Sequence, residues 1–365
     1  MKHLITNLNL CDLGGANKVT VTVIDELVKL KEDLTVATLH KPNLLGIYSQ
    51  MGIDLSHVKI FHKSIPLGLG RSKIFSYYKL YSVILSVLRR FQPDQTLFFD
   101  DVIDPKSKIH GKIVLYSHFP FSLRIRYFDN QNHKLRNRVY ENLFKRSQEA
   151  DVILANSSKT AEYLKIAWGR DAKIVYPPVD TVKFRPYKKK NIVVMLGRFC
   201  PYKNMEDGIK AVALSKTKPE LYIIGFKDSN AYLQKLRALA KKYRIEKSTK
   251  ILANASSECI RNVLGVAKIF IHPCRNEPFG IAVVEGMASG CVPIVSKAWG
   301  PWLDIIEKGK YGLGFETVSE IAEKIDDIFL DEAKFKRFSE IARGRAEYFN
   351  EEKFRKNIGE ILCAF

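Results

Sequence analysis

No stretch of about eighteen apolar residues occurs in the chain, which excludes a membrane-spanning helix. The longest greasy segment, Ile74 to Leu88, is broken by Ser76, Lys79, Ser82 and Ser86. The opening residues, Met1 to Leu10, alternate apolar with polar and lack the continuous apolar run of a secretory leader, so they read as a first strand. No cysteine pair stands at C-x-x-C or metal-like spacing. Cys11, Cys200, Cys259, Cys274, Cys291 and Cys363 are scattered, as expected of reduced thiols in a cytoplasmic protein rather than of a disulfide framework. Repeats of solenoid length and low-complexity tracts are missing as well. Without a helix-turn-helix, RNP or zinc-finger pattern, a nucleic-acid-binding protein is disfavoured. A dinucleotide oxidoreductase is disfavoured for want of G-x-G-x-x-G followed by an acid about twenty residues on.

Acidic residues are scarce: 39 Asp and Glu stand against 59 Lys and Arg, a formal charge of +20. The imbalance is uneven, with 31 basic against 17 acidic residues in positions 1 to 190. Such a field favours phosphate-bearing partners, whether nucleic acid, an anionic membrane face or a lipid diphosphate, without choosing among them. Otherwise the composition, 46% hydrophobic and 27% charged, is that of a folding chain, and 365 residues suit two domains better than one.

Short apolar runs at Leu4–Leu8, Leu34–Leu39, Val58–Phe61, Gln95–Phe99, Lys112–Tyr116 and Val152–Ala155 read as strands, with helical periodicity between most of them. That alternation predicts a parallel sheet covered on both faces. The helix-hostile stretch from Tyr176 to Lys190 marks a boundary. A second series follows: strands at Ile192–Leu196, Leu221–Gly225, Lys250–Leu252, Ile269–His272 and Val292–Ser296. Helices are expected from Met205, Asn230, Ser257 and Gly280, and a terminal amphipathic helix from Glu351 to Leu362. The expected domains are 1–178, 179–345 and a C-terminal helix, 346–365, packing back towards the first.

Four segments carry candidate chemistry. After the strand ending at His272, a loop holds Glu277 and a helix opens near Gly280; its first N–H groups and positive dipole end suit an anion, and Gly280 lets a phosphate approach the backbone. Glu285 lies about 7–8 Å further along that helix. Two carboxylates beside a phosphate site suit paired sugar hydroxyls, one pair on a transferred sugar and one on a ribose. Directly after the first strand of the second domain, Gly197-Arg198-Phe199-Cys200-Pro201-Tyr202-Lys203-Asn204 places two cations where open α/β sheets bind ligands. Gly14-Gly15-Ala16-Asn17 opens a helix after the first strand, and Tyr116-Ser117-His118-Phe119-Pro120 closes another strand with His118 at its mouth.

The run Glu277-Pro-Phe-Gly280, then Glu285-Gly-Met-Ala-Ser-Gly290, resembles the E-x7-E signature of retaining GT-B glycosyltransferases of family 4. Arg198 and Lys203 resemble that family's G-R-x-x-x-x-K-N, whose cations neutralise the leaving nucleoside diphosphate. Tyr116–Pro120, Ala155–Thr160, Val175–Asp180 and Gly300–Ile305 are similar to the α-1,2-mannosyltransferases that extend lipid-linked oligosaccharides with GDP-mannose. One departure is Trp299, where small residues are usual before Gly-Pro. The segment Leu45 to Ser107 matches nothing recognisable.

The resemblance implies two Rossmann-like α/β domains facing each other across a cleft, and transfer of a hexose, mannose from GDP-mannose first and a UDP-sugar second, to a lipid-linked glycan or similar acceptor. It implies donor contacts from Gly14, Gly15, Arg198, Lys203, Glu277, Phe279, Gly280, Ile281 and Glu285, with His118, Arg198, Lys203 and Glu277 at the chemistry. Glu277 orients the sugar, Glu285 anchors the ribose, and a departing phosphate oxygen takes the acceptor's proton. No cofactor and no metal are expected, because no Asp-x-Asp stands in a cleft-lining position and the cations cover the diphosphate; Asp100-Asp101, ending a first-domain run, is the one spot that speaks against this. Peripheral attachment to an anionic membrane is expected from two stretches. In Arg71 to Arg90, Ile74, Tyr77, Tyr78, Tyr81, Ile84, Leu85 and Leu88 form a stripe flanked by Lys73, Lys79, Arg89 and Arg90. The second holds Arg124, Arg126, Lys134, Arg136, Arg138, Lys145 and Arg146.

Overall fold

The computed structural model describes residues 1–11, 14–63, 73–99, 101–102, 109, 111–120, 145–226 and 230–364. The chain divides into two compact units, Met1–Pro178 with Phe354–Phe365, and Val179–Lys353.

The first unit is built on a seven-stranded parallel sheet in the order β3-β2-β1-β4-β5-β6-β7. Its strands are β1 (Lys2–Asn7), β2 (Asp33–Thr38), β3 (Lys59–His62), β4 (Gln95–Phe99), β5 (Lys112–Ser117), β6 (Val152–Ala155) and β7 (Lys173–Ile174). After an exposed first residue, β1, β2 and β5 are buried throughout, as strands covered on both faces must be. Successive side chains take opposite faces. Leu4, Phe98, Leu115 and Ile153 join one core with the helix Lys73–Leu88, while Ile5, Leu97, Val114 and Leu154 join the other with the helix Gly15–Lys29. The terminal helix Glu351–Cys363 completes that second core through Phe354, Ile358, Ile361 and Leu362. Arg355 fixes it by ion pairs to Asp25 at 2.7 Å and Glu26 at 3.2 Å.

The helix Lys73–Leu88 corrects one expectation. Tyr81 and Ile84 are buried and Leu85 and Leu88 pack against the same core, so this part of the stripe faces the sheet and not a headgroup layer. Of the same stripe, Tyr78 is exposed. A parallel sheet needs a helix over each face, and that demand claims the apolar stripe. The side chains of Lys73, Ile74, Tyr77 and Lys145, and the residues Asp100, Arg124, Arg126, Lys134, Arg136 and Arg138, lie outside the described residues.

The second unit holds a six-stranded parallel sheet, β10-β9-β8-β11-β12-β13. The strands are β8 (Lys190–Leu196), β9 (Glu220–Gly225), β10 (Thr249–Ala253), β11 (Ala267–His272), β12 (Val292–Ser296) and β13 (Leu313–Phe315). Renumbered within the unit the order is 3-2-1-4-5-6, the doubly wound arrangement, and the first six strands of the other sheet repeat it. β11 and β12 are buried at every position. The order reverses between β8 and β11, and ligands of such sheets bind beyond the strand ends at that point.

The expected strands and helices agree with these within a few residues. β7, β13 and the helices Val318–Leu330 and Glu332–Ala346 were not foreseen. The tail of the expected boundary stretch differs in kind: Lys190 opens β8, and Lys189 sends its ammonium inward to the carbonyls of Ala267 at 2.7 Å and Ser289 at 2.6 Å.

Candidate active site

Parallel pairing aligns Val194 of β8 with Phe270 of β11, so the strands leave the sheet side by side near Leu196 and His272. Beyond β8 the chain turns through Gly197 and Arg198 into a short 3-10 turn, Pro201–Lys203, before the helix Met205–Leu214. Gly225 is required beside it: a Cβ there would stand 1.7 Å from the Gly197 carbonyl oxygen. Two bonds stitch the neighbouring loops together. The Tyr202 hydroxyl donates to the Asn276 carbonyl, and the Cys274 thiol donates to the Tyr202 carbonyl at 3.4 Å.

This stitching brings Lys203 onto Glu277, as an ion pair with the Lys203 ammonium donating to Oε2. His272 Nε2 lies 3.3 Å from the same oxygen. Burial by itself raises the Glu277 carboxyl, but the Lys203 ammonium and the His272 ring overcome it and hold the group well below the usual carboxylate range. Burial lowers Lys203, and the Glu277 charge outweighs it, so the ammonium is held above its ordinary value. His272 is lowered by burial, and the Cys274 thiol is pushed up to about 11 by burial with Glu277 beside it. A fixed carboxylate thus meets a fixed cation at the switch point. Arg198 is exposed, and its like charge disfavours the Lys203 ammonium, so the two cations share one neighbourhood.

The loop after β11 reaches its helix through Gly280, whose φ of 104° is a conformation only glycine takes readily. The helix runs Ile281–Ala288, and Gly280 offers no side chain to cap its first N–H groups. Phe279 is buried edge-on against Phe349 at 5.4 Å, anchoring the turn. The Gly300 N–H donates to the Glu277 carbonyl at 3.1 Å, and Gly300 passes so close to Pro278 that a Cβ would stand 1.7 Å from its oxygen. Glu285, fifth in the helix, is buried at 7% exposure. Trp299, the residue that departs from the expected pattern, is buried as well.

In the first unit, Gly14 is the N-cap residue of the helix Gly15–Lys29, directly beyond β1. His118 follows β5, stacked on Phe99 at 6.3 Å and edge-on to Tyr116 at 5.1 Å, and its carbonyl accepts from Thr160 at 3.3 Å. In a parallel sheet both lie at the C-terminal strand edge. Lys203 and Glu277 are therefore in contact, with Arg198 near and Phe279, Gly280, Ile281 and Glu285 continuous along one loop and helix. Sequence reasoning missed His272 and Cys274 beside Glu277, and Tyr202 bonded to the neighbouring Asn276 carbonyl. The signal available was a histidine closing a buried strand five residues before the acid.

Two doubly wound units, with a carboxylate and two cations at the switch point of the second, define an α/β architecture of the nucleotide-binding type. Residues 179–345 match the family described as glycosyl transferases group 1, and residues 13–183 match glycosyltransferase family 4. The chain belongs to these GT-B glycosyltransferases. It is 27% identical over 267 residues to a GDP-Man:Man(3)GlcNAc(2)-PP-Dol alpha-1,2-mannosyltransferase of Dictyostelium discoideum, covering 65% of this chain and 53% of that protein. To the human protein of the same description it is 31% identical over 229 residues, covering 56% and 46%. The chain thus spans about half the length of the curated relatives it matches. Anabaena HepE, solved with UDP-glucose, shares the fold at a TM-score of 0.77 over 100% of both chains, with 18% identity.

Proposed function

We propose that this glycosyltransferase moves mannose from GDP-mannose, with retention of configuration, to a hydroxyl of a lipid-linked glycan. The observation that carries the transfer is the Lys203–Glu277 pair at the β8/β11 switch point, beside Arg198 and the glycine-opened helix. The mannosyl donor and lipid-linked acceptor rest on the relatives that bear those names.

In this reading the sugar hydroxyls donate to the Glu277 carboxylate, Glu285 holds the ribose, and Lys203 and Arg198 face the diphosphate. Retention without a side-chain nucleophile requires departure and attack on one face of the sugar. Positive charge then develops on the ring and negative charge on the leaving phosphate. Preorganised cations stabilise the latter where it grows, which lowers the barrier rather than merely tightening binding. The departing phosphate oxygen takes the proton of the attacking hydroxyl, and His118 positions the sugar. No divalent metal is needed, because Arg198, Lys203 and the N–H groups near Gly280 supply the charge that a metal would.

The test offers GDP-mannose, UDP-glucose, UDP-galactose and a UDP-N-acetylhexosamine in turn with a lipid-diphosphate glycan and weighs the product by mass spectrometry. Product from GDP-mannose, undiminished in excess EDTA, is expected. Product from a UDP-sugar alone overturns the mannosyl reading, and complete loss in EDTA restored by manganese overturns metal independence.

A further inference from the structure

We propose that His272, Cys274 and Glu277 form a binding site for a thiophilic divalent cation of the zinc type, and that its occupation switches the transferase off. One ligand atom from each residue lies within 4.8 Å of the other two, and Nε2 of His272 is 3.3 Å from Oε2 of Glu277. Nitrogen, sulfur and oxygen from three side chains, with a fourth position open, is a donor set that zinc accepts. Independently, His272 is 3% exposed and its Nε2 has no hydrogen bond of acceptable geometry. Its polar neighbour is the Glu277 oxygen, so an ion seated between the two replaces a poorly aligned contact with two ligand bonds.

The fit is close. Zinc bonds of about 2.0–2.3 Å in a tetrahedron separate their ligands by roughly 3.3–3.8 Å, so the set needs to contract by about 1 Å. Rotation about the Cys274 side chain supplies movement of that size. Glu277, only partly buried, gives the way in. On binding, the thiol proton passes to solvent and the thiolate becomes a ligand. The opposing charge is the Lys203 ammonium, which occupies the same Glu277 oxygen. Metal and the Lys203–Glu277 pair therefore exclude each other, and the ion removes the carboxylate that the donor requires. The inhibition rests on the donor-site reading above; the binding does not.

Cobalt reports both ligand type and stoichiometry. Titrating the full chain with Co²⁺ is expected to give a thiolate-to-cobalt charge-transfer band saturating at one equivalent. Cys274→Ser removes the band, Cys259→Ser leaves it, and His272→Asn weakens zinc binding in competition with a chromophoric chelator by at least about tenfold. Lys203→Met should tighten zinc by at least about tenfold, since it deletes a like charge at contact distance. That gain is the opposite of what damage to the fold would produce, so it keeps the proposal testable if Cys274→Ser folds poorly. No band at excess cobalt, an undiminished band in Cys274→Ser, or unchanged affinity in Lys203→Met overturns the site. Zinc should inhibit transfer reversibly by EDTA in the wild type and far less in Cys274→Ser. Binding without inhibition overturns the switch alone, and a chain that uses none of the donors offered still answers for the site through cobalt.

Discussion

Glu277 is held between two partners that pull it in the same direction. Lys203 and His272 both favour its ionised form, and the carboxylate stays charged far into acid. Because the two ends of a donor answer to different members of the group, substitutions should separate kinetically. Arg198→Ala and Lys203→Ala are expected to lower turnover, as phosphate charge grows in the transition state, while Glu285→Ala weakens donor binding. Charge-assisted hydrogen bonds of about 1.5–3 kcal/mol set each loss at roughly tenfold to a hundredfold. Steady-state kinetics with a donor-binding titration check the split, and wild-type values in any variant remove that residue from the site. Glu277, Arg198 and Lys203 were legible because their spacing along the chain is itself the signal. His272 was not, since its approach to Glu277 depends on how one strand end meets its loop. Lys189 escaped for a similar reason: in a stretch read only as a helix-hostile boundary, it reaches two carbonyls 78 and 100 residues away.

At the scale of elements, the loop from β11 into the helix Ile281–Ala288 is shaped by glycines with different duties. Gly280 supplies a positive φ, and Gly300 supplies the space for Pro278 to pass. Gly300→Ala is expected to cost about 1–3 kcal/mol, since a backbone atom rather than a yielding side chain blocks the added methyl, and to weaken donor binding through the shifted Glu277 carbonyl. Gly344, inside the helix Glu332–Ala346, meets nothing within 4 Å. Gly344→Ala should therefore stabilise, by about 0.5–1 kcal/mol. Thermal unfolding of the pair reads both signs; two losses, or two gains, would contradict this account. The periodicity of the helix Lys73–Leu88 was legible, but periodicity reports an apolar stripe and not what covers it. Here the sheet does. β13 has three residues and β7 two, too short for any pattern to mark.

The charge of +20 belongs to the molecule as a whole. No helix among the described residues is long and apolar enough to cross a membrane. With much of the stripe of Lys73–Leu88 committed to the core, the attachment to anionic lipid expected from the charge would have to be electrostatic, without insertion of that helix. Four cations at about 1 kcal/mol each suffice for reversible binding. Co-sedimentation should be strong with anionic vesicles at low salt, weak with neutral ones, and reduced once the Debye length falls to about 3–5 Å. Equal partitioning to both vesicle types, or to neither, would return the charge to solvation. Parallel sheets in both units were implicit in the strand–helix alternation, though not their strand order, and the terminal helix expected to pack back towards the first unit does so through Phe354 and Ile358 in its second core.

That return sets an order of events during synthesis. The first unit leaves the ribosome early but lacks part of its core until Phe354, Ile358, Ile361 and Leu362 have been made. The second unit, Val179–Lys353, is contiguous and has every residue it needs some ten positions earlier. The half that is translated last therefore has its full set of core residues first, and the half translated first stays open at one face, a candidate for chaperone capture, until Leu362 has been made.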